Sequence, residues 1–129
     1  MSEDVLNLLK ADISEVERFA SVFSLSMDKK PADGGWTASQ CLAHLADAEI
    51  SLALRLRMML TSDGYKFSSW DEDAFAVIKE DRDPRVSIET FKSLRLEISK
   101  FCSLWMSRNF QGREHDQMGI KLRLLITYP

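Results

Sequence analysis

Two histidines, His44 and His115, are the side chains of this sequence best suited to hold a metal ion or move a proton near neutral pH. His44 stands three residues before Asp47. On a helix that spacing puts the imidazole and the carboxylate on neighbouring parts of one face, so the pair offers one nitrogen and one oxygen donor of the kinds divalent cations accept. A zinc-type catalytic centre takes about three protein ligands and leaves a position open for water. With two histidines in the chain a three-histidine centre cannot form within it, and nothing in the spacing brings a third ligand to His44 and Asp47. The alternative for His44, beside Leu45 and Ala48, is a core histidine whose ring nitrogens are satisfied by neighbours.

Other reactive side chains have simpler explanations. Cys41 and Cys102 fall at apolar helical positions and form no metal-ligand spacing, so both are expected as buried, reduced thiols. The acidic run Asp71, Glu72 and Asp73 offers oxygen donors or acid–base groups, but it also complements the positive end of a helix dipole. Trp36, Trp70 and Trp105 are expected to serve packing before binding. Gly34-Gly35 lacks the preceding strand and the third glycine of a phosphate-binding loop, and no nucleophile elbow is present.

Four stretches supply the elements that must position these groups. From Glu3 to about Leu25, Leu9, Ile13, Val16, Ala20 and Phe23 recur at three- and four-residue steps, which predicts an amphipathic helix. Pro31 and Gly34-Gly35 break it, and Thr37-Ala-Ser-Gln40 has the spacing of a capping box. The helix opening there carries the stripe Cys41, Leu45, Ala48, Leu52, Leu56 and Met59, and Gly64 lies beyond its end. That reading puts His44 on the inward side.

Between Gly64 and Pro84 a short crossover helix, about Trp70 to Lys79, is expected behind a capping box at Ser69-Trp-Asp-Glu72. Ser87 reads as the N-cap of a further helix to about Arg108, with Val86 and Phe91 as a hydrophobic staple. Its stripe is Ile88, Phe91, Leu94, Ile98, Phe101 and Trp105. A last apolar run from Ile120 to Tyr128 is too short for periodicity to decide and is read as the first turns of a fourth helix. One shared periodicity predicts a single all-α domain over residues 1–129, an up-down bundle of antiparallel helices.

The composition, 45% apolar and 29% charged, is that of a globular protein. A net charge of −3 provides no basic surplus for nucleic acid or anionic membrane. The N-terminus lacks the pattern of a secretory leader and no stretch approaches the roughly 20 apolar residues of a membrane span, so a cytoplasmic location is expected.

At Trp36-Thr-Ala-Ser-Gln-Cys-Leu-Ala-His44-Leu-Ala-Asp47-Ala-Glu49, followed by Arg55 and Met58-Met59-Leu60, the chain resembles the DinB-like superfamily, which includes the YfiT-type proteins. There a tryptophan opens the second helix, a histidine and a glutamate follow, and an arginine lies further along. The similarity extends to the Asp71-Glu72 segment and to the loop His115-Asp-Gln-Met-Gly119.

What the resemblance implies is a four-helix bundle whose members often bind zinc, nickel or iron through three histidines. Several act as metal-dependent hydrolases or as transferases using low-molecular-weight thiols. The first ligand maps onto His44. The other two usually form a His-x-x-x-His pair on the fourth helix that this sequence does not contain, and His115 matches a loop histidine that is not usually a ligand. The expectation is a relative of those enzymes with an incomplete metal site and weak or lost activity, the alternative being a non-catalytic helical scaffold. A short fourth helix would also leave an apolar seam on the other three, which predicts a homodimer.

Overall fold

The computed structural model describes residues 3–62, 64–78 and 82–108 of the chain. Four helices account for most of them: α1 (Glu3–Val22), α2 (Ala38–Thr61), α3 (Glu72–Val77) and α4 (Pro84–Arg108). No strand occurs among the described residues. The all-α expectation holds, and the apolar run 120–128, His115 and the side chains of Leu9 and Trp105 lie outside the described residues.

Local chemistry explains the ends. Thr37 Oγ1 accepts from the Gln40 N–H at 3.2 Å while Gln40 Oε1 accepts from the Thr37 N–H at 2.8 Å, so the capping box that starts α2 is formed as expected. Two other starts differ. In α3 the N-cap is Asp71, whose Oδ1 accepts from the Ala74 N–H at 2.9 Å, and the helix is shorter than the spacing predicts. In α4, Asp83 takes the capping place: its Oδ1 accepts from the Arg85 N–H at 2.9 Å, and Pro84 supplies a first residue with no N–H to satisfy. Ser87 is therefore inside the helix and buried, while Val86 is exposed and makes no staple. The first helix stops at Val22, and Leu25 lies fully in solvent.

The packing register fixes helix directions. Val16, Leu42 and Phe91, one from each long helix, form one buried cluster; Ala53 and Leu56 of α2 meet Ile98 and Cys102 of α4 in a second. Glu49 of α2 pairs with Arg95 of α4, and Arg57 with Glu97. Numbers rise together along α2 and α4, so these two helices run parallel. Asp12 of α1 pairs with Arg95 while Glu17 pairs with Lys92, so α1 runs antiparallel to α4. A simple up-down order is thus corrected: with α2 and α4 parallel, the chain must return the length of α2, about 36 Å at the rise of an α-helix, between the end of one and the start of the other, and the described residues 64–78 lie on that return.

That return is laid against α2. Arg55 donates to the Ser68 carbonyl at 3.3 Å, the Trp70 ring lies on His44, and Gln40 Nε2 donates to the Ala76 carbonyl at 3.4 Å. The crossover forms a strap over one side of α2, and α4 packs on another.

Candidate functional site

His44 belongs to the strap side. The buried line on α2 is Leu42, Ala46, Glu49, Ala53 and Leu56, one step round from the stripe expected through Cys41, Leu45 and Ala48. At about 100° per residue, His44 projects from the side of α2 nearly opposite Glu49. The imidazole is outside both buried clusters and half-buried beneath the crossover instead.

Two indoles hold it. The Trp36 ring centre is 5.1 Å away at 55°, and Trp70 stacks at 5.5 Å and 19°; Phe75 closes on the far edge of Trp70 at 4.8 Å. Such offset and edge contacts are the favourable geometries for aromatic rings. Trp36 comes from the turn before α2, Trp70 from the strap and Phe75 from α3, so the enclosure exists only because the chain doubles back. No hydrogen bond reaches the imidazole among the described residues, and its Nδ1 is buried without a partner. The alternative of a core histidine satisfied by neighbours finds no such neighbour for Nδ1 among them.

Asp47, the suggested oxygen donor, is engaged elsewhere. Its Oδ1 accepts from Arg82 at 2.9 Å, with the Asp47 side chain 10% exposed. A carboxylate already neutralised by a guanidinium is a poor ligand for a cation. Asp71 caps α3 and Glu72 and Asp73 occupy its first turn, so the acidic run has the dipole role expected of it. Among the described residues no group of three or more histidine, cysteine, aspartate or glutamate side chains is assembled to hold a metal. The described donor set amounts to one nitrogen, so by itself it does not fit a three-ligand centre.

The thiols separate in the same way. Cys102 is buried between α2 and α4, and burial pushes its thiol up to about 11. Cys41 is half-buried and burial raises it too, against a smaller backbone contribution. Neither is an activated nucleophile.

The residues that periodicity missed are Glu49 and Arg95. Glu49 is 2% exposed, and one of its oxygens receives the Arg95 guanidinium, which also binds Asp12 at 2.6 Å and lies 5.0 Å over the Phe91 ring. Burial pushes the Glu49 carboxyl above its ordinary range, with the Arg95 hydrogen bond and charge opposing. With Asp12 of α1 on the same guanidinium, this ion pair links all three long helices. Its partners are 46 residues apart, so periodicity could not pair them, although Glu49 stands in the motif that carries the DinB-like resemblance.

The chain is similar to two curated proteins named for metal-dependent hydrolysis. One, "Putative metal-dependent hydrolase OB0782" of Oceanobacillus iheyensis, is 25% identical over 126 residues, covering 92% of this chain and 68% of that protein. The other, YfiT of Bacillus subtilis, bears the same description and is 31% identical over 70 residues, covering 53% of this chain and 39% of its own length. No family model matches the chain, and no solved structure does. No described helix is long and apolar enough to cross a membrane.

Proposed function

We propose that the chain is a DinB/YfiT-type relative of metal-dependent hydrolases and thiol-dependent transferases, in which His44 is the nitrogen donor its second helix contributes to a divalent-metal centre. The observation that carries this reading is the buried, unpartnered Nδ1 of an imidazole clamped between Trp36 and Trp70. A buried polar nitrogen without a partner is costly, and a ligand or a residue outside the described part relieves it. The names of the two similar proteins support a metal, and zinc, nickel or iron suits an imidazole donor. The remaining donors come from beyond the described residues or from a second copy, and activity is weak or absent where they are missing.

Metal analysis of protein purified without an affinity tag tests it. The expected result is zinc, nickel or iron in stoichiometric amount, lost in His44→Ala while helicity is kept. Metal-free protein that takes up none of the three on dialysis overturns the assignment.

A second reading, a non-catalytic homodimeric scaffold, draws on apolar side chains in solvent. Ile50 and Leu54, one turn apart on α2, are 50% and 58% exposed. A second copy laid on that face would cover them, and light scattering at micromolar concentration distinguishes dimer from monomer.

A further inference from the structure

A cleft of about 570 Å³ opens between the end of α1 and the loop leading into α2, separate from the imidazole face. Its walls are aromatic: Phe19 and Phe23, with ring centres 4.7 Å apart, and Trp36. Cys41 contributes a thiol that burial keeps protonated at neutral pH, so that part of the lining is uncharged. The exposed residues Lys29 and Lys30 also line the cleft, which places two cations at its edge. Neither lysine makes an ion pair among the described residues.

The carboxylates of the same loop make no ion pair with either lysine and turn to neutral donors instead. Asp28 accepts from Ser39 Oγ at 2.7 Å and Asp33 from the Gly35 N–H at 2.9 Å, and neither lines the cleft. Carbonyls at the end of α1 and just beyond it are engaged as well, Phe19 by the Phe23 N–H, Ser21 by the Ser24 N–H and Phe23 by the Ser26 N–H. Two exposed lysines with no ion pair among the described residues thus contribute to the lining of a largely apolar, ring-walled space whose volume is that of a small-molecule site.

We infer that this cleft binds an elongated apolar molecule with an anionic head, its body against the three rings and its carboxylate at Lys29 and Lys30. The inference is independent of any metal at His44. Trp36 is shared, since its ring lines the cleft and also meets His44, so occupancy is readable in tryptophan fluorescence.

Decanoate is the probe and decan-1-ol its neutral counterpart, titrated below micelle-forming concentrations by fluorescence and calorimetry. Decanoate should saturate and bind about tenfold more tightly than the alcohol at low salt, the preference shrinking as salt is added. It should also slow alkylation of Cys41. In the double variant Lys29→Glu with Lys30→Glu, whose side chains support no described contact of the fold, circular dichroism should be unchanged and the preference for decanoate abolished. Absence of saturable binding, equal affinity for acid and alcohol, or full decanoate affinity in the folded double variant overturns the inference.

Discussion

Replacing Arg95 by methionine would remove the guanidinium that answers Glu49 while keeping most of the apolar stem on Phe91. The carboxyl is 2% exposed, so it is left buried with nothing to balance it. Breaking a buried pair from one side costs about 3–5 kcal/mol, which for a chain of this size is a fall in Tm of roughly 12–20 °C. The loss should depend on pH. Glu49 already has its carboxyl raised by burial, and without Arg95 it rises further.

A carboxyl held higher in the folded than in the unfolded state binds its proton more tightly when folded. Its stabilising contribution is present below the ordinary carboxyl range and lost as pH rises through the folded value. Arg95→Met should therefore be less damaged at pH 5 than at pH 8 in urea denaturation. Glu49→Met combined with Arg95→Met should recover most of the stability, because the pair is then replaced by apolar volume. A cost for Arg95→Met below about 1 kcal/mol, or one equal at both pH values, would refute the reasoning.

Leu42→Ala empties a site with no solvent exposure between Val16 and Phe91, and should cost about 2–5 kcal/mol in the same assay. Cys102 is 3% exposed and burial pushes its thiol up to about 11, so it should react with a disulfide reagent only on unfolding, after the half-buried Cys41. Trp70→Ala uncovers the imidazole, and diethylpyrocarbonate modification of His44, followed by peptide mass spectrometry, should be faster than in the unaltered protein.

The three long helices were legible because leucine, isoleucine and phenylalanine recur at helical spacing, and the capping box at Thr37 and Gln40 marks where α2 begins. The rotation of α2 was not. Of the expected stripe, Leu56 is buried in the seam while Cys41, Leu45 and Leu52 flank it, and the rest of the seam is Leu42 with the small Ala46 and Ala53 and the acidic Glu49. Small residues let α4 approach closely, and an acidic one can face inward because an arginine arrives from a helix far along the chain. Periodicity weighs neither effect.

The same rotation decides the character of the candidate site. Were His44 on the α4 side it would share the dry space around Leu42 and Phe91; on the strap side its cover is Trp36 and Trp70, the latter backed by Phe75, brought by segments that lie before and after α2. The aromatic cover follows from the parallel course of α2 and α4: the chain must travel the length of α2 between them, and its connection stays bound only where it finds apolar or hydrogen-bonding contact. Arg55 and Gln40 supply the polar tethers near the two ends of that course and the rings supply the contact between. An imidazole placed beneath such a connection is screened from bulk water yet only one layer deep, and on the proposed reading of His44 as a metal donor that depth lets a ligand reach it without unfolding the core.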